Sequence, residues 1–475
     1  VARGVSSLAK GMAPLANLKS FDWDNDEQEV LNEATANGLL ISNHSYGVPV
    51  LLQNGNQNAP TWFMGCYSSD ARAWDLISYA APYYLMVASA GNDGNSSYNG
   101  GLLAGYDKLT GNKNSKNNLV VANAQDAVLH PNGSGDLLGT LFINSSSSQG
   151  PSDDGRIKPD ITGNGTDVYS TSNATNFSYA SLTGTSMAAP NVSGTLLLLQ
   201  QYYNELKGNY MKASTLKALA CHTADEAGNI GPDPIFGWGL LNAKKAAETI
   251  FSSSEPLPSA IINELTINQG ETYTIQVSAS AGTKLEATIC WTDPAGIARD
   301  SQLNSPSPAL VNDLDLRISQ ASTVFFPWRL QLSNVAAAAI KGDNVVDNIE
   351  NVEVDSPNGI YTITVSHKGS LTSGSQNFSL IVTGTSLVNL SQNNVDSQNS
   401  FVLYPNPAND FVGVNLGTVE ADSYDLIDLQ GRIINSGSLE GKSNETISLS
   451  GLQSGVYFVK INSNSKSVVK KIIKK

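Results

Sequence analysis

Long apolar runs are missing from this sequence. The longest, residues 83–88 and 335–340, are far shorter than the roughly 20 apolar residues of a membrane-spanning helix, so no membrane span is expected. Basic residues are also scarce, since 28 Lys and Arg stand against 42 Asp and Glu and the net charge is −14. Because nucleic acids bind basic surfaces, they are not expected as partners.

Cysteine is nearly absent as well. Cys66, Cys221 and Cys290 lie far apart, match no metal-ligand spacing and leave room for at most one disulfide. Cys221 ends the mostly apolar stretch 216–221, which favours a buried thiol. The opening residues, VARGV, lack an initiating Met and the apolar core of a signal peptide, so we expect the chain to begin inside a domain.

The chain is long enough for about three domains. In its first half, sequence patterns typical of helices alternate with patterns typical of strands. Apolar spacing predicts helices at 27–37 and 71–80 and short strands at 39–42, 84–88 and 119–122. This alternation indicates βαβ units in a parallel sheet flanked by helices. Ligands are expected at the carboxyl ends of its strands.

Segments rich in β-branched residues, with alternating apolar and polar side chains, dominate the second half of the chain. A Ser- and Pro-rich linker at 252–258 precedes strands predicted at 271–278, 285–292, 360–366 and 377–383, a pattern that favours an antiparallel sandwich. A polar and flexible linker is predicted at 389–400. The last segment is expected to form one small β module, with strands at 423–429 and 455–461 and a basic tail at 470–475.

The strongest chemical signal is the string GTSMAAP at 184–190. Apolar residues recur at helical spacing after it, so Ser186 is expected where a glycine-led turn meets a helix, with Pro190 in the first helical turn. A serine there gains from the helix dipole and from free backbone N–H groups, which favour negative charge developing on a substrate. For an isolated Gly-x-Ser, an ordinary N-cap serine is the alternative.

Two further segments continue predicted strands. ASAGNDG at 88–94 places Asn92 just past a buried strand, where its amide can donate to an oxyanion, although Asn-Asp-Gly alone is usually a turn. ISNHSYG at 41–47 continues the strand predicted at 39–42 and is suited to pairing with an extended peptide backbone.

Together these motifs resemble the subtilisin family of serine peptidases. The resemblance implies that Ser186 is the nucleophile and that Asn92 donates to the oxyanion. It also implies that substrate lies against two short segments, which consist of Ser45, Tyr46 and Gly47 and of Ser89, Ala90 and Gly91. Residues 9–14, 149–160 and 236–243 are similar to further landmarks of the family.

The catalytic Asp and His of that family are not recognisable in the sequence. The family order is Asp, His and then Ser, so both are expected upstream of Val1, and the chain as given is expected to be inactive. His44 lacks the His-Gly-Thr-His context of the family's base and is interpreted as a structural residue.

The downstream regions carry resemblances of their own. Residues 256–385 resemble the β-sandwich attached to some bacterial subtilases, through CWTDP at 290–294 and ALVNDLDL at 309–316. Asp313 and Asp315 alternate along a strand and are predicted to bind calcium, with a solvated acidic strand end as the alternative. Residues 401–475 resemble the C-terminal sorting domain of type IX secretion, through YPNP at 404–407, GVYFVKI at 455–461 and the terminal lysines. A generic small β-sandwich is the alternative there.

The sequence therefore predicts a secreted or cell-surface serine endopeptidase that is exported by the type IX secretion machinery and acts on protein or peptide substrates. The expected fold is α/β, a subtilisin-like parallel sheet flanked by helices and followed by two small all-β sandwiches, with domains at 1–251, 256–385 and 401–475. A non-catalytic surface or adhesive protein with a degenerate peptidase fold is the alternative. An α/β-hydrolase esterase is disfavoured because no Gly lies two residues after Ser186.

Overall fold

The computed structural model describes residues 6–255, 259–280, 282–384, 388–389, 401–416, 421–428, 431–463 and 466–475. The chain divides into two compact units, Val1–Leu390 and Ser391–Lys475. Of the two predicted linkers, positions 256–258 of the first and 390–400 of the second lie outside the described residues. Among the described helices, none is long and apolar enough to span a membrane.

A parallel sheet with helices forms the first part of the larger unit. The helices are α1 (Asp26–Ala36), α2 (Ser69–Ala80), α3 (Thr185–Lys207), α4 (Ala213–His222) and α5 (Ala243–Ser252), and the strands are β1 (Ile41–His44), β2 (Leu85–Ser89), β3 (Leu119–Ala124) and β4 (Ile161–Asn164). The four strands pair in the order β1-β2-β3-β4, and every pairing is parallel. A two-stranded antiparallel ribbon follows, made of β5 (Val168–Thr171) and β6 (Tyr179–Leu182).

Helix α3 packs across this sheet, and the contact sets the position of the helix. Its apolar residues recur at three- and four-residue spacing, and Ala188, Val192 and Leu196 are buried in one cluster with Val87 of β2 and Val121 of β3. Burying a large aliphatic side chain stabilises the fold by about 1.5–3 kcal/mol. The α3 N-terminus therefore stands over the carboxyl ends of the strands, where the predicted parallel sheet was expected to bind ligands.

Antiparallel strands make up the rest of the larger unit. They are β7 (Ala260–Asn268), β8 (Tyr273–Ala279), β9 (Leu285–Cys290), β10 (Asp313–Gln320), β11 (Thr323–Phe325), β12 (Trp328–Arg329), β13 (Ile340–Lys341), β14 (Ile349–Val354), β15 (Gly359–Lys368), β16 (Ser375–Thr383) and β17 (Val388–Asn389). Two sheets, β14-β9-β16-β7 and β11-β10-β15-β8-β17, enclose a common apolar core, and β12 pairs with β13. The predicted fold class, a parallel sheet with helices followed by antiparallel sheets, is confirmed.

Helix α4 joins the two parts because it packs against β9 and β16. Both ring nitrogens of His222 are hydrogen-bonded to the sandwich, Nδ1 to Thr288 Oγ1 at 2.8 Å and Nε2 to Thr383 Oγ1 at 2.9 Å. Cys221 and Cys290 lie in the shared core, and all three cysteines are buried and free. These contacts explain why the chain up to Leu390 forms one compact unit.

Two buried carboxylates, Asp107 and Asp153, meet at Gly65. A Cβ at Gly65 would overlap an oxygen of each carboxylate. Burial, with the charges of Asp107 and Asp154 next, raises the pKa of Asp153 to about 9. At neutral pH Asp153 is therefore protonated in the folded protein and ionised in the unfolded chain.

This difference predicts how Asp153→Asn changes stability. An acid whose folded pKa is raised weakens folding as pH climbs from its unfolded value, about 4, towards its folded value. We expect the free energy of unfolding of the variant to exceed that of wild type by roughly 1–3 kcal/mol at pH 8 and to differ little from it at pH 4. Urea denaturation at both pH values measures this.

Asp154→Asn is the matched control, because Asp154 pairs with buried Arg156 at 2.9 Å. Removing one partner of a buried ion pair lowers stability, so this variant should be destabilised. A destabilised Asp153→Asn at pH 8 would show that the carboxylate is ionised and compensated in the fold.

The smaller unit is all β. Its strands are β18 (Val402–Tyr404), β19 (Phe411–Asn415), β20 (Ser423–Ile427), β21 (Ile433–Ser438), β22 (Asn444–Ser448), β23 (Gly455–Ser463) and β24 (Lys466–Lys474). They form two sheets, β18-β19-β22 and β21-β20-β23-β24, around buried Val412, Leu426 and Val459. Of the residues predicted as a basic tail, 470–474 belong to β24, which pairs with β23 over nine positions.

Candidate active site

Ser186 is the second residue of α3, at the helix start that the sequence predicted. Its hydroxyl Oγ donates to the backbone oxygen of Ser45, at 3.2 Å, and Ser45 directly follows β1. In the first helical turn the Thr185 N–H donates to Asn92 Oδ1 and the N–H groups of Met187 and Ala188 donate to Gly184 O, whereas the Ser186 N–H has no acceptor among the described residues and is available to a ligand. The nucleophile candidate therefore faces the segment predicted to hold substrate.

Pro190 lies deeper in the helix than predicted. It is the sixth residue of α3 and not in the first turn, so the helix lacks the N–H that would donate to the carbonyl oxygen of Ser186. The hydroxyl of Ser45 supplies that donor instead, at 3.0 Å from Ser186 O. The two serines are thus joined by a reciprocal pair of hydrogen bonds, which ties the strand end to the helix start.

Asn92 reaches the same place from β2. Its Oδ1 accepts hydrogen bonds from the backbone N–H of Thr185 at 3.0 Å and from the Thr185 hydroxyl at 3.1 Å. Because a backbone N–H can only donate, the oxygen of the amide must face Thr185. The Asn92 Nδ2 group has no acceptor among the described residues, and so it is left free to donate to a ligand.

The parallel pairing of β1 with β2 explains how these segments meet. His44 lies opposite Ala88 at the carboxyl ends of the two strands, so Ser45 and the residues after Ala88 emerge side by side. Ser89 ends β2, the Ala90 N–H donates to Val121 O at 2.9 Å, and the Gly91 N–H donates to Thr185 Oγ1 at 3.1 Å. The structure thus gathers the predicted substrate segments around Ser186.

His44 is buried on the other side of β1. Its Nε2 is hydrogen-bonded to Ser42 Oγ at 2.6 Å and its Nδ1 to the Tyr46 hydroxyl at 2.5 Å, and that hydroxyl also donates to Asp26. Its ring packs edge-on against Trp74, with 4.8 Å between ring centroids. Burial lowers the pKa of His44 to about 4, so the ring is neutral at physiological pH. Both nitrogens are occupied, which supports the structural interpretation.

Thr185 is a site residue that sequence analysis did not single out. Its hydroxyl donates to Asn92 Oδ1 and accepts from the Gly91 N–H, so one side chain orients the amide and anchors the glycine turn. Its position directly before Ser186 was the only available signal. A buried hydroxyl with both roles filled sets the direction of the Asn92 amide.

The predicted calcium ligands lie on β10, far along the chain from this site. Asp315 pairs with Arg317 and Lys368, each at 2.8 Å, and Asp313 lies 3.4 Å from Lys368 Nζ. Within the described residues, no group of three or more His, Cys, Asp or Glu side chains is arranged to hold a metal. Calcium would have to displace Lys368 from these oxygens, and its binding stays a prediction.

Family models match both units of the chain. The model described as the subtilase family matches residues 2–239, half of the chain, and the one described as a secretion system C-terminal sorting domain matches residues 402–475. The second match marks the protein for type IX secretion, so it is secreted or located at the cell surface.

Individual relatives are similar over shorter stretches. A serine protease/ABC transporter B family protein of Dictyostelium discoideum is 29% identical over 255 residues, 46% of this chain and 14% of that protein. The C5a peptidase of Streptococcus pyogenes serotype M3 is 35% identical over 144 residues, 28% of this chain and 12% of that peptidase. The match thus spans less than a sixth of either relative's length.

Among solved structures, the patellamide maturation protease PatA is similar at 20% identity with a TM-score of 0.32, covering 46% of this chain and 66% of that one. The family model spans α1 to α4, and with them Ser186, Asn92 and the strand end at Ser45. This chain belongs to the subtilase family of serine peptidases.

Proposed function

We propose that the protein is a secreted serine endopeptidase that hydrolyses peptide bonds through an acyl-enzyme on Ser186. The observation that carries the proposal is that Asn92 is held through Oδ1 by Thr185, the residue before Ser186, which leaves its Nδ2 without an acceptor among the described residues, while the Ser186 hydroxyl meets the strand end at Ser45. A nucleophile next to a preorganised donor is the arrangement that acyl transfer requires.

In the proposed reaction, Ser186 Oγ attacks the scissile carbonyl carbon and its proton passes to a general base. Asn92 Nδ2 and the Ser186 backbone N–H donate to the oxyanion that forms. Collapse of this intermediate breaks the C–N bond, and the amine leaves with the proton returned by the base. Water then hydrolyses the ester and restores the serine.

The general base is the missing part of this scheme. Among the described residues, the hydrogen-bond partner of the Ser186 hydroxyl is a backbone oxygen, which cannot accept the proton in catalysis. We infer that a His, oriented by an Asp, is encoded upstream of Val1, in keeping with the family order Asp, His, Ser. Without its base a serine hydroxyl is a weak nucleophile.

His44 is not that base in this proposal, and its replacement tests the point. In the full-length gene product, His44→Ala should leave kcat within about twofold of wild type while lowering the free energy of unfolding by roughly 1–3 kcal/mol, because Ser42 and Tyr46 lose buried partners. Steady-state kinetics and urea denaturation measure the two effects. Ser42→Ala serves as the control with the same neighbours, and loss of turnover in a folded His44→Ala protein would assign the base to His44.

Substrate is proposed to bind as an extended strand along Ser45, Tyr46 and Gly47. Main-chain hydrogen bonds to such an edge give affinity without demanding one sequence. Unstructured polypeptides are therefore the expected substrate class, because a folded protein does not offer a free strand of this kind.

The absence of a base beside Ser186 in the described residues favours one rival, a non-catalytic surface protein with a degenerate peptidase fold. Translating the gene upstream of Val1 separates the two. A His-Gly-Thr-His motif preceded by an Asp segment supports the peptidase, and hydrolysis of casein by the full-length product then tests it. A gene without the motif, or a folded product that cleaves nothing, supports the rival.

The sorting domain is proposed to serve export alone. Because the chain forms two compact units that divide before Ser391, deletion of residues 401–475 should leave the catalytic unit folded. We expect the full-length gene product without residues 401–475 to remain in the periplasm. Once purified, it should have the same kcat/KM as the protein that retains them. Cell fractionation and peptide kinetics measure this, and normal secretion of the truncated form would contradict the role.

A further inference from the structure

Lys113 is a buried cation beside the proposed substrate strand. It lies on a 3₁₀ turn, Gly111–Asn114, and its side chain is only 3% exposed. Its ammonium group stands against the backbone of Gly47, where the Cβ of any other residue would overlap Lys113 Nζ. Gly47 is two residues from Ser45, about 7 Å along an extended strand, and Ser45 contacts Ser186.

The charge of this ammonium is not compensated by an ion pair. Within the described residues, no carboxylate oxygen lies within salt-bridge distance of Lys113 Nζ, and its hydrogen bond is a long one, 3.5 Å, to Tyr46 O. The charged groups that face it are Asp70 of α2 and Asp93, the neighbour of Asn92, and both act at longer range. Burial lowers the pKa of Lys113 to about 8, so most Lys113 side chains carry the ammonium charge at pH 7.

The turn that carries Lys113 is held firmly. Thr110 Oγ1 donates to Val48 O at 2.6 Å, which fixes the turn to the segment that follows Gly47. Asn114 Nδ2 donates to Leu109 O at 3.0 Å, and Asn118 Nδ2 donates to Asn112 O at 2.7 Å. These bonds hold the backbone that carries the cation, and burial of Lys113 restricts its side chain, so little side-chain entropy remains to be lost when a ligand binds.

A buried cation without an ion-pair partner favours an anionic ligand, because a carboxylate that replaces water there gains a charge-assisted hydrogen bond. Nζ stands against Gly47, in the segment proposed to hold substrate, and Asp93, the neighbour of Asn92, acts on it at longer range. The candidate ligand is therefore the residue whose carbonyl Ser186 would attack. We propose that Lys113 binds the side chain of that residue and makes the enzyme selective for Glu or Asp on the acyl side of the scissile bond. The inference rests on the proposed function, and the experiment below distinguishes a failure of the inference from a failure of that function.

Two measurements on the full-length gene product test the selectivity. The first compares kcat/KM for otherwise identical peptides with Glu, Gln or Leu at the residue before the scissile bond. We expect Glu to exceed Gln by at least about 50-fold, mainly through KM, because an unpaired buried charge is retained in the complex with Gln. The second measures by calorimetry the binding of product-like peptides that end in Glu or Gln, which needs no turnover.

Lys113→Met keeps the length of the side chain without its charge, and removal of an uncompensated buried charge should not unfold the protein. In this variant the ratio of Glu to Gln should fall to near one in both measurements. Lys113→Arg is the matched control and should keep most of the preference. The wild-type preference should decline as pH rises from 7 to 10, because the ammonium loses its proton.

The outcomes are distinguishable. Equal kcat/KM for Glu and Gln in active wild type, or a ratio that Lys113→Met leaves unchanged, would overturn the assignment and make Lys113 a structural residue paired at long range with Asp70 and Asp93. If no peptide is hydrolysed but the Glu-ended product still binds preferentially, the proposed peptidase function fails and the role of Lys113 stands.

Discussion

Replacing Ser186 with Ala in the full-length gene product should abolish peptide hydrolysis. The acyl-enzyme cannot form without the hydroxyl, and the residual rate then comes only from binding and the oxyanion donors. We expect kcat to fall by roughly 10⁶-fold, a magnitude taken from the nucleophile of subtilisin. Progress curves with a fluorogenic peptide, read against the uncatalysed rate, measure the loss.

Ser193→Ala is the control on the same helix. Its hydroxyl lies within hydrogen-bond distance of two acceptors, Ala189 O at 2.9 Å and Asn43 Oδ1 at 3.1 Å, and not of Ser186, so the variant should keep its turnover. A folded Ser186→Ala protein with more than a few per cent of wild-type activity would mean that another residue is the nucleophile.

Replacing Asn92 with Ala should lower kcat by roughly 100-fold or more and leave KM nearly unchanged. The oxyanion exists only after attack, so its donor stabilises the transition state and not the bound substrate. Because Asn92 Oδ1 also accepts from Thr185, the alanine variant removes an acceptor as well as the donor.

Asn92→Asp separates these two functions. The carboxylate keeps an acceptor for the Thr185 N–H but replaces the donor with an oxygen that repels the oxyanion. This variant should fold like wild type and be at least as inactive as Asn92→Ala. An active Asn92→Asp enzyme would show that the side chain acts through Thr185 and does not donate to the substrate.

Much of the site follows from the sequence because its parts are local. Ser186 is placed by the helical spacing after it, and Asn92 by the end of the apolar run before it. A parallel sheet then brings the carboxyl ends of its strands to one edge, so segments far apart in sequence meet without further information.

Other features depend on long-range contacts that no local pattern contains. Pro190 lies one turn deeper in α3 than the sequence predicted, so Ser186 O has no helical N–H donor. The Ser45 hydroxyl donates to it instead. Asp313 and Asp315 look like free carboxylates in one strand, but β15 pairs with β10 and sets Lys368 opposite Asp313. The burial of Lys113 beside Gly47 depends in the same way on the fold of an intervening loop.

The most direct test of the central claim is covalent labelling of the nucleophile. The full-length gene product is treated with a peptidyl phosphonate that reacts with activated serines, then digested and analysed by mass spectrometry. A nucleophilic Ser186 predicts one adduct, on that residue, that forms in parallel with loss of activity and is absent from Ser186→Ala. A folded protein that gains no adduct on Ser186, or that loses activity through an adduct on another residue, would contradict it.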